Sequence, residues 1–359
     1  MKLCFNGPKN LHTERWVTYF ARHGHEVHLV IDEPVEYEDV NIHCLHLKLN
    51  KNPIYFLKKL LGLKRVIKEI QPDLLHSHYI TGEGYIGAMT GFHPYVASIW
   101  GTDILIRPHK GIGEKLFTKF VMKRSDLITA DSQDQIDAAV DLGASSDKCR
   151  VVQWGVDLRT FRPGVESDIR ARLGIDDGPI IISQRKFQPL YNIDIIVQAF
   201  SDTLAVLPDA HLVLTGAGFD EAKVRDQVRH LGIDANVHFT GYLPYDDLSL
   251  YLNAADIAIS IPSWDGTAMA ILEAMACGVP LIVSDLASNR EWIEDGKNGY
   301  IVQPRDHEQL TARMIELLQD RACCERFSVQ NVQTIRERAD HEKHMAQMEL
   351  YYQELCRRK

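Results

Sequence analysis

The stretch PSWDGTAMAILEAMACGVPLIVSD, residues Pro262–Asp285, is the part of the chain that decides its fold. It follows the short apolar run Ile257–Ser260, turns at Asp265-Gly266-Thr267, and continues through a helical pattern into a second apolar run. Strand, helix and strand in this order predict a parallel βαβ unit. Asp265 or Thr267 is placed to cap the helix, whose first N–H groups and dipole suit a diphosphate.

Glu273 lies two turns into this helix, among alanine, methionine, isoleucine and leucine side chains. A carboxylate in such surroundings is costly unless it is hydrogen-bonded. A bidentate contact with ribose or sugar hydroxyls explains its presence, and so does a structural bond to the backbone. The spacing leaves both alternatives open, as it leaves open a purely structural capping role for Asp265.

The same alternation of strand and helix runs through the whole chain. The predicted strands are Lys2–Phe5, Val27–Ile31, Leu74–His76, Val96–Ile99, Leu127–Ala130, Ile180–Ser183, Leu212–Leu214, Val237–Thr240, Ile257–Ser260 and Leu281–Val283. Helical patterns separate most of these runs, which predicts doubly wound parallel sheets. A link at Val151–Gly164 divides them into an N-terminal domain over residues 1–160 and a C-terminal domain over residues 161–328. Residues 329–359 are predicted to form a helix that packs back on the N-terminal domain.

Polar residues follow the predicted strands where each strand ends. They are Asn6-Gly7, His76-Ser77-His78, Gly101-Thr102-Asp103, Gln184-Arg185, Gly216-Ala217-Gly218, Gly241-Tyr242, Pro262-Ser263 and Ser284-Asp285. In open α/β sheets, ligands bind beyond the carboxyl ends of the strands. The sequence therefore predicts a ligand site in a cleft between two Rossmann-like domains.

Composition narrows the class of protein. The chain has 359 residues, of which 45% are hydrophobic and 25% are charged, and its net charge is −9. These values are ordinary for globular domains, and the acidic balance argues against a nucleic-acid partner. Seven scattered cysteines form no CxxC pair, which indicates reduced thiols, and no apolar run is long enough to cross a membrane. We therefore expect a cytoplasmic protein, with peripheral contact at the inner face of a membrane left open.

The basic segment Lys48–Ile70 offsets this acidity in the N-terminal half of the chain. Its cations are Lys48, Lys51, Lys58, Lys59, Lys64, Arg65 and Lys68, and its apolar residues are Phe56, Leu57, Leu60, Leu61, Leu63 and Ile67. Such an amphipathic helix either packs its apolar side on the protein core or lies on an anionic membrane surface. The core-facing helix with a solvated basic side is the simpler expectation. A second basic stretch, Lys110–Arg124, is compatible with both alternatives.

The stretch Pro262–Asp285 resembles the E-x7-E signature of the retaining family 4 glycosyltransferases, which have the GT-B fold. Asp265 falls at the first Glu of that signature and Glu273 at the second. Further segments resemble motifs of the same family: SIWGTD at Ser98–Asp103, WGVDLRTFRP at Trp154–Pro163, LTGAG at Leu214–Gly218 and HFTGYLPYDDLSLYLNAADI at His238–Ile257. The resemblance implies an α/β fold in which two Rossmann-like doubly wound domains face each other across a cleft.

The resemblance also implies roles for individual residues. Glu273 corresponds to the residue that holds the donor ribose, Asp265 to one that holds hydroxyls of the transferred sugar, and Arg185 to the arginine that neutralises the diphosphate. The further residues assigned to the nucleotide-sugar pocket are Asn6, Gly7, Lys186, Gly216, Gly218, Gly241, Tyr242, Gly266 and Thr267. The candidate catalytic residues are Asp103, Arg185 and Asp265.

Three departures from the family pattern matter. Asp265 is shorter than the Glu that it replaces, which alters the sugar hydroxyls within its reach. The segment Gln184–Asp194 carries one extra residue and has Tyr191-Asn192 in place of a Lys-Gly pair that follows the family's arginine, so Lys186 is the candidate to replace the lost charge. Trp100 replaces a histidine, and because indole cannot take up a proton, no general base is expected at that position. Asp103 is then the candidate contact to a sugar, or else a cap that braces its loop.

The resemblance implies a retaining glycosyltransferase that moves a sugar from a nucleoside diphosphate donor to an acceptor hydroxyl. A UDP-sugar is favoured over GDP-mannose as the donor, and a carbohydrate or lipid-linked molecule is the expected acceptor, in surface polysaccharide or glycolipid assembly. The chain has no D-x-D triplet, and His76 and His78 lack metal-ligand spacing, so we expect neither a metal ion nor a bound cofactor. A GT-B-fold sugar-nucleotide epimerase and a non-catalytic nucleotide-sugar-binding module are the alternatives.

Overall fold

The computed structural model of the chain describes residues 1–48 and 52–358. Within these residues the chain forms two compact units. The first unit consists of Met1–Trp154 together with the returning segment Glu342–Lys359, and the second unit consists of Gly155–His341. Each unit contains one parallel sheet with flanking helices, which confirms the predicted α/β class.

The limits of the two units differ from the predicted domain boundaries after residues 160 and 328. Val156 N donates to Ala339 O (2.7 Å), and His341 N donates to Val156 O (3.1 Å). These bonds hold the start of the second unit against the end of its last helix. The second unit therefore begins earlier and ends later than predicted, and the segment that returns to the first unit is shorter.

The first unit contains a seven-stranded sheet. Its strands are β1 Lys2–Asn6, β2 Glu26–Ile31, β3 Val40–Cys44, β4 Leu74–His78, β5 Tyr95–Ser98, β6 Leu127–Ala130 and β7 Cys149–Val151. Their order across the sheet is β3-β2-β1-β4-β5-β6-β7, and Leu3 of β1 pairs with Val27 on one side and Leu74 on the other. All three residues are fully buried, as expected where helices cover both faces of a parallel sheet.

Six helices belong to the first sheet. They are α1 Leu11–Arg22, α2 Pro53–Ile70, α3 Tyr85–Thr90, α4 Thr102–Leu105, α5 Ile112–Arg124 and α6 Gln133–Asp141. The start of α1 follows from its sequence, because the Asn10 side chain accepts a bond from Thr13 N (2.9 Å). Trp16, Val17 and Phe20 recur at helical spacing and are buried on the sheet.

The second unit contains a six-stranded sheet with the order β10-β9-β8-β11-β12-β13. Its strands are β8 Ile180–Ser183, β9 His211–Thr215, β10 Val237–Gly241, β11 Ile257–Ser260, β12 Leu281–Ser284 and β13 Tyr300–Val302. Its helices are α7 Ile169–Leu173, α8 Ile193–Leu204, α9 Glu221–Leu231, α10 Tyr245–Ala254, α11 Met269–Ala276, α12 Ala287–Arg290, α13 His307–Gln319 and α14 Arg321–Arg338. This arrangement repeats the doubly wound plan of the first unit.

The order of the second sheet creates a switch point between β8 and β11. The chain builds β9 and β10 on one side of β8, then crosses to build β11, β12 and β13 on the other side. The loops that follow β8 and β11 therefore leave the sheet in opposite directions, which opens a crevice beyond their carboxyl ends. The first of these loops begins at Gln184 and the second at Ile261.

The last helix of the chain, α15 (His341–Arg357), packs on the core of the first unit. Met348 and Tyr352 are fully buried there. The Trp16 indole donates to the Tyr352 hydroxyl (3.2 Å), and His76 Nδ1 lies 2.5 Å from the same oxygen. His76, in the middle of β4, thus has a structural role in holding the returning helix.

Tyr352→Phe deprives the Trp16 indole and His76 Nδ1 of this hydroxyl. We expect the free energy of unfolding to fall by about 1–3 kcal/mol, the cost of leaving a buried polar group unpaired. Urea denaturation followed by tryptophan fluorescence measures the change. Tyr351→Phe is the matched control, because Tyr351 is half-exposed and contacts Arg150 through its ring, which phenylalanine keeps. An equal loss in the control would contradict this role of the hydroxyl.

Candidate functional site

Three loops at the carboxyl edge of the second sheet pack against one another through glycines. Gly216, which follows β9, has a φ of +123°, and a Cβ there would lie 2.7 Å from Arg185 O. A Cβ at Gly218 would lie 2.2 Å from Phe187 O. Gly216 N also donates to Gly241 O (2.8 Å) at the end of β10. Because only glycine permits these approaches, the two glycines of LTGAG shape the loop that follows β8.

Arg185 and Asp265 meet across the switch point between β8 and β11. The Arg185 guanidinium donates to Asp265 Oδ2 and lies 4.3 Å from the centre of the Tyr191 ring. The Arg185 side chain is 9% exposed and the Asp265 side chain 24% exposed. A carboxylate and an aromatic face together fix the orientation of a guanidinium. Tyr191, the departure noted in the sequence, therefore supports the arginine without adding a charge.

Asp265 and Thr267 do not cap the helix that follows them, so this prediction is wrong. α11 begins at Met269, and the residue at its N-cap is Ala268, whose side chain cannot accept a hydrogen bond. Asp265 Oδ1 instead accepts from the backbone N–H of Gly266 (3.0 Å). The turn is longer than the sequence spacing indicates, and the first turn of α11 has no side-chain cap.

Side chains from neighbouring loops hold the segment that follows β11. Asn192 Nδ2 donates to Ile261 O (2.8 Å), and Ser288 Oγ donates to Asp265 O (3.0 Å). Sequence reasoning assigned no role to either residue. The available signal was Asn192 itself, which stands where the family has the glycine of its Lys-Gly pair. Its φ of +53° is a conformation that asparagine tolerates better than most residues, which explains the replacement.

Glu273 is buried in α11 at the same edge of the sheet. Gln184 Nε2 donates to Ala270 O (2.7 Å) and lies 3.5 Å from Glu273 Oε2. Three buried oxygens near the ends of β8 and β11, namely Gln184 Oε1, Ser183 Oγ and Ser260 Oγ, have no hydrogen-bond partner among the described residues. Because buried polar atoms are normally paired, this edge offers several groups to a polar ligand.

The remaining predicted residues of the second unit lie on the same loops. Lys186 and Tyr242 are exposed, and Lys186 makes no ion pair within the described ranges. Thr267 is buried between Gly266 and the start of α11. The structure thus brings the predicted site residues from Arg185 to Glu273 to one edge of one sheet. Asn6, Gly7 and Asp103, by contrast, belong to the first unit.

Asn6 and Gly7 lie where β1 ends. Asn6 is fully buried, its Nδ2 donates to Glu83 O (2.9 Å), and its Oδ1 has no partner in the part of the chain that is described. A Cβ at Gly7 would lie 3.2 Å from the Thr13 side chain and 3.3 Å from His78 Cβ. Gly7 therefore allows α1 to start close to β4, and contact of this pair with a diphosphate stays a prediction.

Asp103 braces its own loop. Its Oδ2 accepts from Ile80 N (2.7 Å) and its Oδ1 from Trp100 N (3.0 Å), and the residue is fully buried. Burial raises the pKa of Asp103 to about 6, although the surrounding backbone N–H groups lower it. The structure thus shows the bracing role that the sequence left as the alternative, and contact of Asp103 with a sugar stays a prediction.

A cavity of about 690 Å³ opens at the carboxyl edge of the first sheet. Its aromatic wall residues are Tyr55, Phe56, Tyr79, Tyr85 and Trp100. Its charged wall residues are Lys9, Asp32, Glu33, Lys59, Glu83, Arg107 and Glu114. The Trp100 indole N–H is buried and has no hydrogen-bond partner within the residues described. Aromatic surfaces with a few polar groups between them are typical of pockets for small polar molecules.

Lys59 is a buried cation in the wall of this cavity. Its Nζ lies 2.7 Å from Asp32 Oδ2 and 3.0 Å from Glu83 Oε1. Burial by itself would lower the pKa of Lys59, but Glu83 and Asp32 outweigh it and hold this pKa above its usual value. The prediction that Lys59 belongs to the solvated side of Lys48–Ile70 is therefore wrong. Lys51, in the same segment, lies outside the described residues.

Two kinds of feature are absent from the described residues. Residues 1–48 and 52–358 contain no group of three or more histidine, cysteine, aspartate or glutamate side chains that could hold a metal ion. None of the helices in these ranges has the length and apolar character that crossing a bilayer requires. The expectations that the reaction needs neither a metal ion nor a bound cofactor stay predictions.

Two protein families match the sequence, one in each unit. Residues 165–333 match the family described as glycosyl transferases group 1, and residues 2–132 match the family described as glycosyl transferase 4-like. The first match contains the site residues of the second unit, from Arg185 to Glu273. The second match contains most of the walls of the cavity in the first unit.

Named relatives are similar over different shares of the chain. N-acetyl-alpha-D-glucosaminyl L-malate synthase of Bacillus anthracis is 26% identical over 351 residues, which cover 94% of this chain and 91% of that protein. D-inositol 3-phosphate glycosyltransferase of Frankia alni is 29% identical over 263 residues, which cover 65% of this chain and 62% of that protein. The second alignment thus spans less than two thirds of its relative.

Solved structures share the fold. Anabaena HepE in complex with UDP-glucose superposes with a TM-score of 0.84 at 18% identity, over 99% of this chain and 100% of that one. Sucrose-phosphate synthase from Thermosynechococcus elongatus gives a TM-score of 0.84 at 17% identity, over the full length of both chains. At these identities the likeness shows the fold, which is the GT-B fold that the sequence resemblance implied.

Gly218→Ala would direct a methyl group at Phe187 O, 2.2 Å away. We expect a loss of about 1–3 kcal/mol in the free energy of unfolding, because the two backbone segments must separate. Gly113→Ala, in α5, is the control, since a Cβ there meets nothing within 4 Å and alanine favours helix. Urea denaturation compares both variants with the wild type, and equal stability of Gly218→Ala and Gly113→Ala would contradict the close approach.

Proposed function

Since the chain belongs to the family 4 glycosyltransferases of group 1, we propose that it transfers a sugar, with retention of configuration, from a UDP-sugar to an acceptor hydroxyl. The observation that carries the proposal is the pairing of Arg185 with Asp265 at the switch point of the second sheet. Ligands bind at such points in open α/β sheets. The fixed cation suits the diphosphate of a nucleotide sugar, and the carboxylate beside it suits the sugar hydroxyls.

The donor is assigned to the second unit. Arg185 neutralises the diphosphate, and the uncapped first turn of α11 adds backbone N–H groups and the positive end of a helix dipole. Glu273 accepts hydrogen bonds from the ribose, with Gln184 beside it. Asp265 accepts from hydroxyls of the transferred sugar. Arg185 already has a carboxylate and an aromatic ring as neighbours, so it need not reorganise when the diphosphate arrives.

UDP is proposed as the nucleotide because of a structural neighbour. Anabaena HepE, which has the same fold, is described in complex with UDP, with UDP and glucose, and with UDP-glucose. GDP-mannose is the alternative donor, since a GDP-mannose-dependent mannosyltransferase of Corynebacterium glutamicum is 32% identical over 178 residues. That alignment covers 46% of this chain, which is weaker support.

Retention is proposed to proceed by attack on the face from which the diphosphate leaves. The bond between the anomeric carbon and the phosphate oxygen breaks as the bond to the acceptor oxygen forms. The acceptor proton passes to an oxygen of the departing phosphate, so no protein base is needed. Trp100 cannot accept a proton and the Asp103 carboxylate is bonded to backbone N–H groups, which supports this assignment. The chain's part is to hold the reactants and stabilise charge.

The acceptor is assigned to the cavity of the first unit. Its aromatic walls and hydrogen-bonding groups suit a saccharide. Carboxylates outnumber cations among its wall residues, and Lys59 is already neutralised by Asp32 and Glu83. Two relatives are named for anionic acceptors, L-malate and inositol 3-phosphate. The charge of this cavity favours an uncharged sugar hydroxyl instead, as part of a carbohydrate or lipid-linked acceptor in polysaccharide or glycolipid assembly.

The function is tested by donor turnover without an acceptor. We expect slow release of UDP from UDP-glucose, because water replaces the acceptor, and the same rate in EDTA. Arg185→Ala should reduce the rate of UDP release roughly 10–100-fold, because the variant loses the free energy of the charge-assisted hydrogen bonds between Arg185 and the diphosphate. Arg229→Ala, an exposed arginine in the same unit, is the control.

Each other result contradicts part of the proposal. Binding of UDP-glucose without any UDP release would favour the non-catalytic module, and release of an epimerised sugar would favour the epimerase. Release only from GDP-mannose would overturn the choice of nucleotide alone. A strict requirement for a divalent cation would contradict charge stabilisation by Arg185 and α11. Proton NMR of the first-formed free sugar reports retention or inversion.

The two carboxylates are expected to act on different parts of the donor. Glu273→Gln should weaken free UDP roughly 10–100-fold, because it removes the charged acceptor of the ribose hydroxyls. Asp265→Asn should leave UDP affinity nearly unchanged, because the asparagine oxygen can still accept from the Arg185 guanidinium, while turnover falls. Calorimetry with UDP and a turnover assay on both variants measure the difference. Loss of UDP binding in Asp265→Asn with normal binding in Glu273→Gln would reverse the assignment.

A further inference from the structure

Two helices of the first unit carry large apolar side chains at the protein surface. On α2 these are Ile54, Leu57 and Leu61, and on α5 they are Ile112, Leu116, Phe117 and Phe120. Ile112 is 81% exposed, and Leu57, Leu61 and Leu116 are each more than half exposed. The prediction that the apolar side of Lys48–Ile70 faces the core is correct for Leu63 and wrong for Leu57 and Leu61.

These exposed side chains are contiguous and form one apolar surface, rather than lying scattered over the unit. The short helix α3 packs against both α2 and α5. The Tyr85 ring at its start contacts the Phe117 ring of α5, with ring centres 5.2 Å apart and planes tilted by 33°. Met89 near the end of α3 is exposed. Contiguous apolar surface of this kind marks an interaction site in a protein.

The same helices carry a concentration of positive charge. The exposed cations are Lys58, Lys64, Arg65 and Lys68 on α2, and Lys110, Lys115, Lys119 and Lys123 on or beside α5. Glu69 is exposed on α2, whereas Glu114 of α5 accepts from the Tyr85 hydroxyl (2.9 Å) and pairs with Arg107. We call the exposed apolar residues and cations of α2, α3 and α5 the basic apolar face.

We propose that the basic apolar face docks on an anionic lipid surface. Apolar side chains between lysines are what an interfacial helix presents, with its aliphatic groups in the lipid and its ammonium groups at the phosphates. Each cation near such a surface adds to the attraction. A second copy of the chain fits less well, because two such faces would bring like charges together. A nucleic acid would leave the exposed aliphatic side chains in water.

This face adjoins the cavity of the first unit. Tyr55 and Phe56 of α2 and Glu114 of α5 line that cavity, so the helices that would contact lipid also form its walls. Docking would therefore bring the cavity to the level of lipid headgroups. If the cavity binds the acceptor, which rests on the proposed function, the acceptor is a lipid-linked saccharide. Docking itself does not depend on the proposed function.

The test is co-sedimentation of the full chain with vesicles. We expect binding to vesicles of phosphatidylcholine with about a quarter of anionic phosphatidylglycerol, little binding to phosphatidylcholine alone, and weaker binding as salt is raised. Lys115→Gln with Lys119→Gln should lower the partition coefficient roughly 30-fold, from about 1 kcal/mol for each lysine. Leu116→Gln with Phe120→Gln should lower it as well, which pure charge attraction would not predict.

Matched controls come from the second unit. Val329→Gln and Arg321→Gln replace an exposed apolar residue and an exposed cation on α14 and should not change vesicle binding. Circular dichroism verifies that all variants fold, and UDP release in solution should equal that of the wild type. Vesicle binding without UDP release would mean that the proposed function fails alone, and UDP release without vesicle binding would mean that docking fails alone.

Three further outcomes would overturn the docking proposal. The first is equal binding to neutral and anionic vesicles. The second is vesicle binding that neither double substitution weakens, or that the α14 controls weaken as much as the double substitutions do. The third is absence of vesicle binding together with self-association, or with nucleic-acid binding, that the Leu116→Gln, Phe120→Gln variant abolishes. In that case the occupant of the face is a second copy or a nucleic acid.

Discussion

Parallel strand pairing is the constraint on which both units depend. Every ladder in the two sheets is parallel, so each connection must cross back along the sheet, and its helix covers a face. The helices thus cover both faces of each sheet, and the polar residues that could bind a ligand lie in the loops at its carboxyl edge. The second sheet also reverses direction at β8, which brings the loops after β8 and β11 to the same crevice. Arg185 and Asp265 meet for that reason, although eighty residues separate them.

Both candidate sites contain a cation that is held by its surroundings. Arg185 lies between Asp265 and Tyr191, and Lys59 lies between Asp32 and Glu83. A buried cation without partners would be strongly destabilising, so the carboxylates keep each charge in place in the folded chain. The two cations differ in whether their charge is available to a ligand. Arg185 stands beside unpaired polar atoms and can share its charge with a ligand, whereas Lys59 is neutralised within the wall of its cavity.

In the first unit, α2 exposes large apolar side chains to solvent as well as burying others in the core. The buried side of α2 is held by Tyr55, Leu63 and Val66, and the opposite side leaves Leu57 and Leu61 in contact with solvent. An amphipathic helix that served only the core would place polar groups there. Exposed cations on the same helix, such as Lys58 and Lys64, lower the tendency of this surface to self-associate, because two copies would repel each other. The exposed charge and apolar area of this surface are the basis on which we propose that it faces lipid.

The sequence by itself determined the fold class, most strands and the segments that bear the site. Short apolar runs such as Ile180–Ser183 become buried parallel strands because helices cover both faces of the sheet, so that every residue of the run is buried. Glycines such as Gly218 mark places where two backbones touch. Three strands at sheet edges, β3, β7 and β13, escaped prediction, since a short strand at the edge of a sheet needs no strong apolar pattern. Only the tertiary structure decided that Asp103 braces a loop, that Lys59 is buried, and that Asp265 pairs with Arg185. These three contacts depend on partners elsewhere in the chain. Periodicity indicates which side of a helix is apolar, but it does not indicate what that side contacts.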